Sequence, residues 1–293
     1  LADTQLSSGM ICWNEAQTID LALKSISNFV DEVIIIDTGS FDGTQKIARE
    51  TIDNLNLSGQ IKEVTITKLF DARLKAFQLC DGDWMLMQDS NLVLSNALKQ
   101  EILGHIKRSN ARGCIKSLNL MGDYEHLFGN RPFMAPHDIL IKLEKATWDE
   151  SVDRPHFIGT TKTLFNWAVN LSRVRPAWRY WLRGEQFDRR AYNDVARRHS
   201  EGHKNEFNTQ YSWQRLDKYT SPLEYIEATK GMTLNDVKQV APAWFLKQLR
   251  LEARHLIPTY RQGLPEVIQD ELKNPRYKLV YENNKITGRW PEL

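Results

Sequence analysis

The sequence has no long apolar run. Runs such as Val33-Ile34-Ile35-Ile36 fall far short of the roughly 18–20 residues that a membrane-spanning helix needs. No charged-then-apolar leader opens the chain. It begins on Leu1 rather than Met, so the natural N-terminus is expected to lie upstream. Cysteine is scarce. Cys12, Cys80 and Cys114 all sit in apolar stretches without CxxC spacing, which argues against a zinc site and for buried thiols in a reducing, cytoplasmic compartment. No GxSxG marks a hydrolase nucleophile, and no GxGxxG follows the first apolar run, so the α/β-hydrolase and dinucleotide-binding readings fail. Internal repeats, low-complexity tracts and long Gly/Ser linkers are missing too.

What is present suits a globular chain. Of 293 residues, 41% are hydrophobic and 26% charged, enough for one large domain or one domain with an appended module. The net charge of +2 hides an asymmetry. Residues 1–150 hold 15 basic and 21 acidic side chains, whereas 151–293 hold 24 and 16. The basic half is the better candidate for an anionic partner.

The first 145 residues alternate between two periods. "SSGMICW" (7–13), "EVIIID" (32–37), "EVTITKL" (63–69) and "DWMLMQD" (83–89) read as strands. Between them, Ile19, Leu23, Ile26 and Val30 recur at helical spacing, as do Ile47, Thr51, Ile52 and Leu55. "ARLKAFQLC" reads as a helix, and so does 97–109, capped by Ser95 or Asn96. Such alternation predicts a doubly wound α/β domain with right-handed crossovers. From about 160 onward the pattern turns helical and aromatic, with Trp244, Leu246, Leu249 and Leu256 on one stripe. The tail reads as a hairpin around Asn283-Asn284. The expected division is 1–160 for the α/β domain and 161–293 for a basic, helix-rich region packed on it.

In doubly wound sheets, ligands bind beyond the carboxyl ends of the strands, where strand order switches. The polar residues to read are therefore Asn14-Glu15, Asp37-Thr38-Gly39-Ser40 and Asp89-Ser90-Asn91. Asp37 ends an apolar run, Gly39 and Gly43 allow tight turns, and Asp42 or Thr44 can cap the following helix. A carboxylate there can accept hydrogen bonds from a base or ribose while free N–H groups meet a pyrophosphate. Read alone, the same stretch is equally a plain strand-to-helix turn.

Taken together, these residues resemble the opening of the family 2 glycosyltransferases, enzymes of the GT-A fold that use nucleotide sugars. In that family a strand ends in Asn-Glu and a second ends in Asp-x-Gly-Ser-x-Asp-x-Thr, which Asn14, Glu15, Asp37, Gly39, Ser40, Asp42 and Thr44 match. "FDAR" and "GDWMLMQDSN" stand where the family has an Arg-bearing helix and an Asp-x-Asp metal motif. The likeness is good over about residues 7–95 and faint over 135–160. It implies a GT-A-type doubly wound mixed sheet with a C-terminal, mostly helical region. It also implies a nucleotide-sugar pocket of Asn14, Glu15, Asp37, Ser40, Arg73, Asp89 and Ser90, and a metal held by Asp89 and Asn91.

Two departures matter. Asn91 stands where the family has its second carboxylate, so a charge is lost from the oxygen ligands that Mn²⁺ or Mg²⁺ prefers. The metal requirement is therefore expected to be weak or dispensable. Leu74 replaces a frequent Asn, while Lys75 adds a cation that, with Arg73, can offset the charge of a leaving diphosphate.

Inverting sugar transfer needs a base for the acceptor's proton. "ATWDESVDRPHF" (146–157) supplies Asp153 as first candidate and Glu150 as second, with His156 a possible metal ligand. The stretch 171–200 carries eight arginines against three acidic residues, interleaved with aromatics. It reads either as an acceptor surface including Arg175, Arg179 and Arg183, or as a solvated face over aromatic core. His199 and His203 flank Gly202 and do not make a metal pair.

The sequence thus predicts a glycosyltransferase that takes a sugar from a nucleotide diphosphate donor to an acceptor hydroxyl, with inversion. The acceptor is a polymer, a lipid-linked saccharide, a protein or a nucleic acid. Two alternatives share the fold: an enzyme that glycosylates a nucleic-acid base, and a non-catalytic nucleotide-sugar-binding homologue.

Overall fold

The computed structural model describes residues 4–64, 69–120, 123–128, 133–149, 154–157, 159–172, 174, 256–258, 264–276, 278–282 and 285–289. Among them, one compact unit comprises Leu1–Val174 with His255–Arg276, and a second comprises Arg175–Arg254 with Tyr277–Leu293.

The first unit is built on an eight-stranded mixed sheet. Its strands are β1 (Leu6–Cys12), β2 (Glu32–Asp37), β3 (Gly59–Glu63), β4 (Trp84–Asp89), β5 (Leu92–Leu94), β6 (Arg112–Asn119), β8 (Phe133–Lys142) and β11 (Thr161–Asn170). The order is β3-β2-β1-β4-β8-β6-β11-β5. β1 to β4 run parallel, β8 lies antiparallel between β4 and β6, and β11 pairs parallel with β6 and antiparallel with β5. Short pairs are made by β7 (His126–Phe128) with β12 (Leu256–Pro258), and by β9 (Ala146–Asp149) with β10 (Arg154–Phe157).

The apolar run of β2 explains the double winding. Side chains alternate across a strand. Val33 and Ile35 join one core cluster with Ile19, Ala22, Leu23 and Ile26 of α1 (Ile19–Ile26) and Ala48 and Ile52 of α2 (Thr44–Asn54). Ile34 and Ile36 meet Ala72 and Ala76 of α3 (Leu69–Leu79) on the opposite face. Both faces of β2 are covered, as a parallel interior strand requires. α4 (Asn96–Arg108) begins at Ser95, whose Oγ accepts the N–H of Leu98 at 3.2 Å, and so settles the cap on Ser95 rather than Asn96.

Two residues separate the end of β4 from the start of β5, yet β5 pairs with β11 at the opposite edge of the sheet. Three residue steps span about 10 Å at most. The strands from β4 to β5 must therefore curl until the far edge returns to the carboxyl end of β4. This curvature brings the ends of β4, β6 and β11 to one place.

Three expectations need correction. The third strand is Gly59–Glu63, not 63–69: it ends opposite Asp37, where β2 also ends, and Leu69 already opens α3. Its sequence GQIKE is that of a polar edge strand, which a search for apolar runs passes over. Residues 161–170 are not helical. They form β11, interior between β6 and β5, within the compact unit Leu1–Val174 with His255–Arg276. Leu256 lies in β12 rather than on a helical stripe; Trp244, Leu246 and Leu249 fall outside the described residues. Within His255–Arg276, α5 (Glu266–Glu271) packs on α1.

In the second unit, β13 (Lys278–Glu282) and β14 (Lys285–Arg289) form the expected antiparallel pair, closing on Glu282 opposite Lys285. No helix among the described residues is long and apolar enough to cross a membrane.

Candidate active site

Strand order switches between β1 and β4, so the crevice beyond their carboxyl ends is where ligand is expected. Register aligns the predicted residues along that edge. Asp37 ends β2 opposite Cys12, and Asp89 ends β4 opposite Ile11. At about 4.8 Å between neighbouring strands, the backbones of Asp37 and Asp89 stand roughly 10 Å apart across β1.

The loops after β1 and β2 are stitched to one another. The Asn14 N–H donates to Ser40 Oγ at 2.7 Å, and Asn14 Oδ1 accepts the N–H of Phe41 at 2.8 Å. The Glu15 N–H donates to Thr44 Oγ1 at 2.7 Å and the Ala16 N–H to Asp42 Oδ2 at 3.1 Å. Asn14 holds a left-handed φ of 52°, a conformation asparagine tolerates better than most residues. Gly39 and Gly43, at φ 97° and 91°, make the turns the β2–α2 loop needs. Much of the motif's polarity is thus spent on shaping the loops. Glu15 also accepts Thr18 Oγ1 on its carboxylate at 2.9 Å.

Asp37 is fully buried. Its Oδ1 accepts the N–H groups of Gly39 and Ser40 at 2.8 and 2.7 Å, while Oδ2 has no hydrogen-bond partner among the described residues. Beside it, burial and then the charges of Asp37, Glu15 and Asp42 push the Cys12 thiol well above its ordinary range, so it stays neutral. In the adjoining loops, Phe41 is 55% exposed and meets the half-buried Trp13 edge-on, with centroids 6.2 Å apart. Arg73 is half-buried on α3, next to Ala72 of its sheet-facing side, and Lys75 is exposed.

The Asp89-Ser90-Asn91 turn is held at both ends. Gln88 Nε2 donates to Leu92 O at 2.6 Å, and the Leu171 N–H donates to Asn91 O at 2.8 Å. Asp89 is exposed, whereas Ser90 and Asn91 are buried. Asn91 Oδ1 has no hydrogen-bond partner among the described residues. An exposed carboxylate beside an unengaged amide oxygen offers the hard oxygen donors that a divalent cation takes, with one unit of charge instead of two. No group of three or more His, Cys, Asp or Glu among the described residues is arranged to hold a metal. The residues present therefore fit an ion that draws most of its ligands from elsewhere.

Other residues at this edge escaped the sequence reading. Asn119 and Asn170 face each other in register at the ends of β6 and β11, and the Leu120 N–H donates to Asn170 O at 3.2 Å. Just beyond, buried Asp123 accepts His126 Nδ1 at 2.8 Å. Burial alone would lower the His126 pKa, but the hydrogen bond and charge of Asp123, with Glu125, raise it above the ordinary histidine value. The strand-end rule would have found these residues had it been carried past the fourth strand.

Of the remaining candidates, Glu150, Asp153, Arg175, Arg179 and Arg183 lie outside the described residues. His156 belongs to β10, where its backbone pairs with Thr147.

Residues 7–151 match the model of the family described as glycosyl transferase family 2. A curated protein of Rickettsia felis named "Uncharacterized glycosyltransferase" is 34% identical over 98 residues, 33% of this chain and 32% of that one. A like-named protein of Rickettsia bellii is 31% identical over 102 residues, 35% of this chain and 33% of that one. The match thus spans about a third of the length of these curated relatives. A solved structure, glucosyl-3-phosphoglycerate synthase from Mycobacterium tuberculosis with Mn²⁺, uridine diphosphate and phosphoglyceric acid, is 22% identical. The likeness covers 41% of this chain and 44% of that one, at a TM-score of 0.32. On the family match and the mixed sheet that bears its motifs, residues 7–151 are a glycosyl transferase family 2 domain of the GT-A type.

Proposed function

We propose that this domain binds a nucleotide diphosphate sugar across the carboxyl ends of β2, β1 and β4 and passes the sugar, with inversion, to an acceptor hydroxyl. The observation that carries this reading is the alignment of buried Asp37 and exposed Asp89 on either side of the switch point, between two loops already locked in shape. Asp37 Oδ2 is a buried acceptor suited to a base N–H, with Trp13 and Phe41 offering aromatic surface for stacking. Asn14 and Glu15 set the loop, and Ser40 and Ser90 border the donor.

In inverting transfer the acceptor oxygen attacks the anomeric carbon opposite the leaving group. The bond from that carbon to the diphosphate oxygen breaks, and the acceptor's proton passes to a base. Asp153 is that base in this reading, with Glu150 as the second candidate. The nucleoside diphosphate leaves as an anion whose charge Arg73 and Lys75 help to offset. Asp89 and Asn91 would hold a divalent cation weakly, with His156 a candidate third ligand. Such an ion would supply further positive charge against the diphosphate. Arg175, Arg179 and Arg183 are, on charge alone, the proposed acceptor-binding residues.

The test is a calorimetric titration of the purified chain with UDP, GDP, CDP and dTDP, with and without Mn²⁺. Binding of one nucleotide is the expected result; binding of none by folded protein overturns the reading. Asn91 favours a second reading, a binding-only homologue, which turnover of the matching nucleotide sugar would eliminate.

A further inference from the structure

The loop bearing Trp13, Asn14 and Glu15 is gripped from two sides. The β2–α2 loop holds its first half. Its second half, where chain enters α1, is held by a residue more than 250 positions away. Arg276 donates Nη1 to Gln17 O at 3.1 Å and to Asp20 Oδ1 at 2.9 Å, and Nη2 to Asp20 Oδ2 at 2.7 Å. Nη2 also meets Glu271 Oε1 at 2.9 Å, which anchors the guanidinium to the α5 segment. The planar fork thus reaches both oxygens of one carboxylate and a loop carbonyl together, an arrangement that the single ammonium of lysine does not reproduce.

The grip falls at a sensitive point. The Glu15 carbonyl accepts the N–H groups of Thr18 and Ile19 at 3.0 and 2.9 Å, so residues 15–19 are the bend between the loop and α1. Gln17 lies inside that bend, and Asp20 is in the first turn of the helix. The Asp20 side chain is 11% exposed, and its other cation is Lys24 at 2.9 Å. Loss of the fork would leave a nearly buried carboxylate with one partner and free the bend on that side.

We infer that Arg276 is a positioning residue for the nucleotide-binding loop, fixing through Gln17 and Asp20 the angle at which Asn14 and Glu15 are presented to the donor. The inference rests on the donor reading above. Arg276 touches no reacting group; it acts through the bend.

The experiment compares the full chain with Arg276→Ala, Arg276→Lys, Asp20→Asn and a control, Lys273→Ala, whose ion pair is with the exposed Asp270. Each is titrated with whichever of UDP, GDP, CDP and dTDP the wild type binds, and amide hydrogen exchange is followed over residues 13–19. Arg276→Ala is expected to weaken nucleotide binding roughly tenfold and to speed exchange in the bend, as small misplacements remote from a site can. Arg276→Lys should lie between it and wild type, and Lys273→Ala should match wild type. In turnover, the donor KM should rise while kcat holds. If Arg276→Ala does not fold, Arg276→Lys and Asp20→Asn carry the test. Wild-type affinity in those two, with lowered melting temperature, would make the contact purely structural and overturn the inference alone. Failure of the wild type to bind any of the four nucleotides overturns the donor reading and this inference with it.

Discussion

The side-chain carbonyl of Asn14 accepts the N–H of Phe41 at 2.8 Å while the Asn14 backbone sits at a φ of 52°. Position 14 therefore answers two demands, a left-handed backbone and a short side-chain acceptor. Asn14→Ala fails both and is expected to destabilise the domain by about 2 kcal/mol, the sum of left-handed strain and a lost hydrogen bond. Asn14→Gly relieves the backbone and should recover roughly half of that loss. Equal losses for the two variants in chemical denaturation would show that strain plays no part.

This pair also marks how far the site was legible from sequence. Asn14, Ser40, Asp42 and Thr44 announced themselves by spacing, and the structure brings them together. Their work, however, is largely mutual: each satisfies backbone of the other loop, which spacing alone does not reveal. The first, second and fourth strands were readable because apolar runs such as Val33–Ile36 are buried on both faces. Polar β3 gives no such signal, because an edge strand needs no apolar run. β11 carries no strand signal of its own, because its burial depends on β6 and β5, far away in sequence. Arg276 was invisible for the same reason: nothing near it in the chain points to Asp20.

The Asp20–Arg276 contact predicts behaviour in acid. Burial alone would raise the Asp20 pKa, but the hydrogen bonds and charge of Arg276 and then of Lys24 bring it below its ordinary value of 3.8. A depressed carboxylate contributes stability that is present above its unfolded pKa and lost as pH falls through the folded one. The wild-type melting temperature should therefore drop more steeply below about pH 4 than that of Asp20→Asn, which has no carboxylate to protonate. Parallel acid profiles for the two would contradict the ion pair.

His126 predicts the opposite sign. Its pKa lies above the ordinary value of 6.5 because Asp123 outweighs burial. A raised histidine contributes stability that is full below its unfolded pKa and lost as pH rises through the folded one. Asp123→Asn removes the charge and should lower the His126 pKa, a shift that an NMR titration of the imidazole protons reads directly. An unchanged midpoint would mean that the 2.8 Å contact with Asp123 does not control the ring.

The last prediction concerns Asn91, whose buried Oδ1 has no hydrogen-bond partner among the described residues. Asn91→Asp restores a carboxylate at nearly the same volume. Without metal, that adds charge to a buried site already next to Asp89, and a loss of about 2 kcal/mol is expected. Mn²⁺ should reverse the loss, since an ion that binds only the folded state stabilises by about 2.7 kcal/mol at a hundredfold excess over its Kd. The melting temperature of Asn91→Asp should accordingly rise more on adding Mn²⁺ than that of the wild type, before any donor is present. The comparison separates two ways of handling the diphosphate. A gain confined to the variant would identify the turn as a metal site weakened by one missing charge. No gain in either would leave Arg73 and Lys75 as the groups that meet the leaving diphosphate, because the strand-end oxygens then hold no ion even when the charge is restored.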